Sequence, residues 1–201
     1  MIKCNVTICA AISRAASVKN GKDGNSFLTF SVKLPVEGRD GSKKDLEISV
    51  SLDGDKSKAS VFSQNRRVNV VGTLMVRKKN GKTYFNLRAD SAELANSKAD
   101  NLIEGTMEFR GKIGKKGVED KTDKKSNAYK AFSAFSSDKD GDKVEFQWVR
   151  FLYFNPKDGE DFLQANTYVE VKGDLQLGVY KDEISIDCRV SEVAPWELEN
   201  K

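Results

Sequence analysis

The stretch Glu145-Phe-Gln-Trp-Val-Arg-Phe-Leu-Tyr-Phe154 decides how this chain is interpreted, because a β-strand would divide its side chains between two faces. One face would carry core-forming side chains, namely Val149, Phe151 and Tyr153. The opposite face would carry a cation between two aromatic rings, namely Trp148, Arg150 and Phe154. Such a face fills a core poorly, but it suits an unpaired nucleic-acid strand, whose bases stack on rings while a guanidinium contacts phosphate or base. The alternative is an ordinary strand buried on both faces, with Arg150 at its edge.

An internal repeat with a period of about 101 residues organises the chain. Five sequence blocks recur in the same order, and the first members begin at Val6, Asn25, Val61, Val68 and Phe85. Their counterparts begin at Met107, Asn127, Phe162, Val169 and Ile184. The repeat indicates two copies of one domain. We predict a first domain over residues 1–96, a polar linker over 97–102, and a second domain with a short C-terminal extension over 103–201.

Each copy has the pattern of five strands with one short helix. Apolar and polar residues alternate in segments such as Leu28 to Leu34 and Ile48 to Leu52, with turn sequences between the segments. Residues 55–65 and 159–166 are the helical candidates. A helix between strands 3 and 4 and a glycine in strand 4 are typical of the OB-fold, a Greek-key barrel that binds oligonucleotides on one face. The predicted class is therefore all-β with two tandem OB-folds, and an SH3-like barrel or a small sandwich is the alternative.

Net charge is a weaker signal of the partner. The chain of 201 residues carries +4, which is too mild to name a partner by itself. Residues 1–96 hold 17 Lys and Arg against 9 Asp and Glu, whereas residues 97–201 hold 17 against 21. A basic first half indicates nucleic acid or another anionic partner, and a solvated basic face is the alternative.

Enzymatic activity is not expected. Histidine is absent, which removes the commonest general base and the commonest transition-metal ligand. The three cysteines, Cys4, Cys9 and Cys188, have no C-x-x-C spacing, so we expect small buried or strand residues rather than a zinc site or a disulfide framework. Acidic clusters around Asp142 and Asp158 leave a Mg²⁺-dependent nuclease open, although their glycine-containing sequence favours solvated loops.

The sequence predicts a cytoplasmic protein with no membrane association. Its N-terminus lacks the arrangement of a secretory signal. No apolar run approaches the length of about 18 residues that a membrane-spanning helix requires.

Two motifs resemble the bacterial single-stranded DNA-binding proteins. Trp148, Arg150 and Phe154 match the Trp-x-Arg-x-x-x-Phe pattern of that family's third strand. The resemblance implies that the two rings stack bases and that the arginine supports the bound strand. Residues 68–84 are similar to the family's fourth strand and the long basic hairpin that follows it. The implied contacts to phosphate come from Arg77, Lys78, Lys79 and Lys82, for which a generic charged hairpin is the alternative.

The first copy departs from this pattern on its own third strand. In the repeat register, the outward positions of that strand are Glu47, Ser49, Ser51 and Asp53. This face has no ring and is acidic. We therefore expect the first copy to bind through its basic hairpin and through Phe27 on its second strand. Phe27 is equally suited to the core, and Tyr84 and Tyr129 suit either stacking or a place in the core or at the rim.

The end of the chain also differs from the family, whose members usually close with a flexible linker and an acidic tip that recruits partners. Here the last residues contain Trp196, which we expect to pack on the barrel, so recruitment by that route does not carry over. Most members carry one OB-fold per chain and form tetramers, while some carry two and dimerise. A homodimer with four OB-folds and a self-sufficient monomer both stay open.

These observations predict largely sequence-independent binding and protection of single-stranded DNA in replication, recombination or repair, without a metal or nucleotide cofactor. An RNA-binding OB protein would use the same faces and recognise the 2′-hydroxyl. A protein-interaction module would use Trp148 and Phe154 as an apolar hot spot.

Overall fold

A computed structural model describes residues 1–21, 24–140, 143–154, 156–157 and 159–197. The first half contains β1 (Ile2–Asn20), β2 (Ser26–Glu37), β3 (Lys43–Asp53), α1 (Lys56–Ala59), β4 (Arg67–Lys79) and β5 (Lys82–Leu94). The second half contains β6 (Leu102–Thr122), β7 (Ala128–Asp140), β8 (Lys143–Phe154), β9 (Tyr168–Tyr180) and β10 (Glu183–Pro195). Asp142 and Asp158 of the predicted acidic loops, and residues 198–201 of the predicted second domain, lie outside the described residues.

Each half closes its five strands into a barrel with the same connectivity. In the first half β1 pairs with β2 and β4, β3 pairs with β2 and β5, and β4 pairs with β5. Strands β6 to β10 repeat this circuit. In both halves the pairing of the third strand with the fifth is parallel and the others are antiparallel. This is the OB-fold circuit, and the predicted class of two tandem OB-folds is confirmed.

The first strand of each half is long because it contributes to two sides of its barrel. Strand β1 pairs with β4 through Ala11 and with β2 from Ala11 onward, and its register shifts between Ile12 and Ser17. Strand β6 shifts in the same way between Ile113 and Val118. A bulge of this kind adds residues on one side of a pair and bends the strand. The bend allows one continuous strand to close the barrel.

Alternation of side chains fills both cores. In β3 every second residue from Leu46 to Leu52 is buried, and in β8 the same holds from Gln147 to Tyr153. The second core contains a group of packed rings: Phe151 lies 4.9 Å from both Phe109 and Phe132 between ring centroids. Burying one such side chain contributes about 1.5–3 kcal/mol, so the inward face of each third strand is fixed by its own core.

The two connections between strands 3 and 4 differ. In the first half α1 spans only four residues, and the side chain of its N-cap Asp55 accepts a hydrogen bond of 2.9 Å from the backbone N–H of Ser57. Residues 159–166 of the second half form turns, so the predicted second helix is wrong. Gly159 adopts a φ of +81°, and the Glu160 carboxylate accepts hydrogen bonds from the Tyr153 hydroxyl and from the backbone N–H of Lys157 instead of capping a helix. No helix in the described ranges is long and apolar enough to span a membrane.

The last strands are in a different register from the one that the sequence blocks indicated. Gly72 lies opposite Ala89 and Gly173 lies opposite Val190, so Phe85 is equivalent to Ile186 rather than to Ile184. Shifting a strand by two residues keeps the same faces inward, and alternation cannot detect it. The positions of the two hairpin turns determine the register of the last strands. Positive φ angles occur at the two central residues of each turn, which are Asn80 and Gly81 in one and Lys181 and Asp182 in the other.

A ladder between β1 and β6 joins the halves into one ten-stranded sheet. It runs antiparallel from Ile2 opposite Phe109 to Cys9 opposite Leu102, with Asn5 opposite Thr106 near its centre. Asn5 and Thr106 also occupy equivalent positions in the repeat. Interchanging the two halves therefore leaves the pairing of the ladder unchanged, so the halves have a local two-fold relation. Strand β6 begins at Leu102, the last residue of the expected linker, and the domain bounds themselves stay a prediction.

The cysteines lie in strands as expected. Cys4, Cys9 and Cys188 are free and buried. Burial raises the pKa of the Cys4 and Cys188 thiols to about 12. A thiol with so high a pKa is almost entirely protonated at neutral pH, so these two residues are core side chains rather than nucleophiles.

The ladder depends on Gly105, because a Cβ there would overlap the carbonyl oxygen of Asn5 and lie 2.8 Å from the Cα of Val6. Gly105→Ala should therefore force β1 and β6 apart and lower the free energy of unfolding by about 1–3 kcal/mol. Thermal denaturation measures this change. Gly178→Ala is the control, since the nearest atom to its Cβ is the hydroxyl of Ser185 at 3.0 Å. Equal stability of the two variants would contradict the close approach at Gly105.

Candidate nucleic-acid interface

A cluster of rings and cations covers the outer side of β7, β8 and β10. We call this surface the aromatic face, and its members are Tyr129, Phe135, Phe146, Trp148, Arg150, Phe154 and Arg189. Strand pairing brings them together, because Tyr129 lies opposite Phe154 and Phe135 lies opposite Trp148. The third strand of the second barrel therefore carries the centre of the face.

The two sides of β8 differ as the alternation predicted. Trp148 is 49% exposed, whereas Phe151 on the opposite side is 0% exposed. Val149 and Tyr153 are also buried. The alternative of a strand buried on both faces is therefore wrong. Trp148 and Phe146, which is 46% exposed, are apolar surface of the kind that marks a binding site.

Three rings support one another at the first end of the face. Phe135 contacts both Trp148 and Phe146, with 5.0 Å between ring centroids in each case. Gly114 of β6 lies beneath Trp148, and a Cβ there would come within 3.0 Å of the indole. The indole is therefore held from one side while about half of it stays open to solvent. A base can stack on such a ring with little cost in ordering the side chain.

A second stacked pair occupies the other end. The rings of Tyr129 and Phe154 lie 5.0 Å apart and are inclined by 25°. The guanidinium of Arg189 lies 5.2 Å from the centroid of Phe154, within the range of a cation–π contact. Arg189 thus places a positive charge beside this pair of rings.

Arg150 lies between the two ring groups and is held by a carboxylate. In the parallel pair of β8 and β10 it lies opposite Asp187, and its guanidinium donates a hydrogen bond to that side chain. Asp187 is 8% exposed, whereas the side chain of Arg150 remains 41% exposed. The buried carboxylate fixes the guanidinium, and the exposed part keeps N–H groups available for a ligand.

The basic hairpin of the first half docks against β8 of the second half. The N–H of Gly81 donates to the carboxylate of Glu145 at 3.0 Å, and the Thr83 hydroxyl donates to the amide oxygen of Gln147 at 2.9 Å. Gln147 in turn donates to the carbonyl oxygen of Trp148 at 3.1 Å. The predicted residues Arg77, Lys78, Lys79, Lys82 and Tyr84 are therefore carried by a hairpin that touches the strand of Trp148.

The local two-fold relation repeats this docking, but the third-strand residue carries the opposite charge. Asp182, at the tip of the β9–β10 hairpin, is equivalent to Gly81, and Lys44 of β3 is equivalent to Glu145. Lys44 donates to the backbone carbonyl of Asp182 and lies 3.7 Å from its carboxylate. Each half thus holds the last hairpin of the other against its third strand.

The corresponding face of the first half is acidic, as predicted. The outward side chains of β3 include Glu47 and Asp53, and no ring stands among them. Arg14 pairs with Glu47 at 3.3 Å, so this cation is already neutralised. Phe27 is half-buried on β2 opposite Asp53, the position equivalent to Tyr129. The structure therefore leaves Phe27 on a different barrel from Trp148.

Sequence reasoning missed three members of the aromatic face, Phe135, Phe146 and Arg189, and also Asp187, the carboxylate that holds Arg150. Phe135 and Phe146 share the outward parity of Tyr129 and Trp148, so alternation in β7 and β8 could have found them. Asp187 and Arg189 approach Arg150 and Leu152 through a parallel pairing between distant strands. Alternation alone carries no signal for that pairing.

The described part of the chain shows no group of three His, Cys, Asp or Glu side chains placed to hold a metal ion. Trp196 packs on the second barrel as expected: its backbone N–H donates to the backbone carbonyl of Tyr168 at 3.0 Å, and the two rings meet edge to face with 5.9 Å between their centroids.

Several solved structures are similar to this chain to different extents. The single-stranded DNA-binding protein from Thermus aquaticus has a TM-score of 0.50 at 11% identity, over 100% of this chain and 95% of that one. The small single-stranded DNA-binding protein from Streptomyces coelicolor has a TM-score of 0.37 at 13% identity, over 49% of this chain and 96% of its own. A Plasmodium falciparum protein in complex with single-stranded DNA has a TM-score of 0.33 at 21% identity, over 45% and 91%. No family model and no curated protein matches the sequence. At 11% identity, the Thermus likeness shows the fold alone.

Trp148→Ala should leave the protein folded, because the indole stands on the surface and removing it opens no internal cavity. We expect a loss of about 1 kcal/mol or less in the free energy of unfolding, measured by denaturant titration. Phe151→Ala is the matched control on the same strand, and its loss should be about 3–5 kcal/mol. If Trp148→Ala unfolds the second barrel, Trp148 belongs to the core and the aromatic face is misassigned.

Proposed function

We propose that this protein binds single-stranded DNA through the aromatic face and the basic hairpin, with little sequence preference. The observation that carries the proposal is a cluster of pre-positioned rings, of which Phe146 and Trp148 are nearly half exposed, with guanidinium groups beside them. Bases of any sequence have a ring face to stack, whereas duplex DNA keeps its bases paired and out of reach.

The binding would combine two physical contributions. Stacking of a base on an aromatic side chain supplies about 1–3 kcal/mol per base. Arg and Lys contacts to phosphates release counterions, which makes the affinity dependent on salt. Neither contribution needs a metal, a nucleotide or a catalytic group. We therefore propose a non-catalytic protein that coats and protects the strand during replication, recombination or repair in the cytoplasm.

The halves would have unequal roles in this binding. The second half supplies the rings at Trp148 and Phe154. The first half supplies cations, since its own third-strand face is acidic and lacks rings. The hydrogen bonds from Gly81 and Thr83 to β8 support a joint action, because they place the basic hairpin beside the ring-bearing strand.

RNA and protein partners would use the same surface in other ways. An RNA-binding protein would require contacts to the 2′-hydroxyl. A protein-interaction module would bury Trp148 in an apolar contact with little dependence on salt. The charged groups beside the rings favour a phosphate-bearing ligand over an apolar protein surface. A monomer and a homodimer with four OB-folds would present the same face, and sedimentation would distinguish them.

Titration of the tryptophan fluorescence tests the proposal. Homopolymeric single-stranded DNA should quench the emission strongly, and the affinity should fall between a low and a high salt concentration. RNA and duplex DNA are the comparison ligands. Equal affinity for duplex DNA, or no binding to any nucleic acid, would overturn the proposed function, and tighter binding of RNA would reassign the ligand.

Trp148→Ala should weaken the binding of single-stranded DNA by about 5- to 150-fold, which corresponds to the loss of one stacked base. The slope of affinity against salt should stay nearly constant, since every phosphate keeps its cation. Ser49→Ala is the control at the equivalent face of the first half, and it should change the affinity little. A folded Trp148→Ala variant that binds as tightly as the unmodified protein would exclude the aromatic face.

Replacing Arg77, Lys78 and Lys79 together by glutamine should have the opposite signature. The salt slope should fall by up to about 0.7 for each phosphate of a single strand that the hairpin no longer neutralises. Equilibrium binding at several salt concentrations measures this slope. An unchanged slope would mean that the hairpin is an ordinary charged surface.

A further inference from the structure

Arg39 of the first half reaches the aromatic face of the second half. It lies in the turn between β2 and β3, and its Nη2 is 3.7 Å from a carboxylate oxygen of Asp187. The turn is seated closely, because a Cβ at Gly38 would come within 3.0 Å of the Val179 carbonyl oxygen. The ion pair of Lys44 with Asp182 lies next along the same hairpin. Arg39 is therefore placed by contacts between the halves.

Asp187 holds two guanidinium groups at once. It accepts a hydrogen bond from Arg150 and forms the longer ion pair with Arg39. One carboxylate neutralises one cation, so one positive charge remains at this point. Asp187 itself is nearly hidden from solvent, whereas both guanidinium groups are partly open. An approaching phosphate would meet the cations and not the carboxylate.

Most of Arg39 is free for such a contact. Its side chain is 72% exposed, and a guanidinium has five N–H donors in a planar fork that matches phosphate oxygens. The partial ion pair restricts where the group lies without occupying all its donors. A positioned but unsaturated guanidinium loses little freedom when it binds a phosphate.

Neighbouring cations of the first half are placed differently. Lys33 lies 2.6 Å from Asp45, and Arg14 pairs with Glu47, so both serve the acidic face of their own barrel. Their carboxylate partners are about half exposed and would repel phosphate. Arg39 instead shares a hidden carboxylate and stands at the edge of a face with rings.

We propose that Arg39 completes the aromatic face across the boundary between the halves and binds a phosphate of the same strand whose bases stack on Trp148 and Phe154. This inference rests on the proposed binding of single-stranded DNA. It assigns to the turn between β2 and β3 a contact with the ligand and gives the site a residue from each half.

Arg39→Gln tests the assignment with homopolymeric single-stranded DNA. With one phosphate no longer neutralised, the salt slope should fall by about 0.7. With that slope, the affinity should fall about fivefold at 0.1 M salt, and the difference should vanish toward 1 M salt. Arg39→Lys should recover part of the affinity, because it keeps the charge but not the planar fork.

Arg14→Gln is the matched control. Arg14 also pairs with a single carboxylate, Glu47 at 3.3 Å, and its side chain is as exposed as that of Arg39, but it lies on the acidic face of the first barrel. Its replacement should change the affinity by less than about twofold and leave the slope constant. An equal effect of both variants would mean that only net charge matters and would overturn the inference.

The thermal midpoint distinguishes a contact of Arg39 with the ligand from an ion pair that only holds the two halves together. Arg39→Gln should melt at the same temperature as the unmodified protein. A lower midpoint with an unchanged salt slope would mean that Arg39 only stabilises the contact between the halves, and it would overturn the inference. If Trp148→Ala weakens binding while Arg39→Gln does not, this inference fails alone. If the unmodified protein binds no single strand, the proposed function fails with it.

Discussion

The ladder between β1 and β6 is the constraint on which the rest of the molecule depends. It is built of backbone hydrogen bonds, and its register makes Asn5 and Thr106 each other's partner. That register fixes how one barrel faces the other. The last hairpin of each half then reaches the third strand of its neighbour, through Gly81 on one side and Asp182 on the other. The shared carboxylate of Asp187 is a further result, since Arg39 approaches it only in this arrangement.

Two nearly equivalent backbones carry different surfaces. The inward positions of β3 and β8 are all apolar apart from Gln147, because each must fill a core. The outward positions are released from that demand, and they hold acids and serines in one half and rings in the other. The surface chemistry of the two halves therefore differs at positions where core packing imposes no requirement. The inward positions, which must pack, preserve the same fold in both halves.

Sequence patterns predicted the barrels and the orientation of Trp148 well, because alternation and repetition are local or periodic signals. They failed where the deciding contact was distant. The shift of two residues in the register of β10 could not be detected, because the alternating pattern aligns Phe85 equally well with Ile184 and with Ile186. The helix predicted at residues 159–166 gave way to turns at Gly159. Asp187 approaches Arg150 through a parallel strand pairing, and Arg39 approaches Asp187 through the docking of the barrels. Neither arrangement produces a pattern in the sequence.

Glu145 and Lys44 occupy equivalent positions in the two halves but carry opposite charges. This difference matters for the way in which the molecule would bind a ligand that has a direction. Two identical subunits around a dyad would have to carry the same residue at both positions, and a strand would meet the same surface in either polarity. Joining the copies in one polypeptide allows each position to change independently. A nucleic-acid strand, whose 5′ and 3′ ends differ, would then have one preferred orientation on the protein. Under the proposed function, joining two copies in one chain would therefore allow a nearly symmetric scaffold to distinguish the direction of the strand.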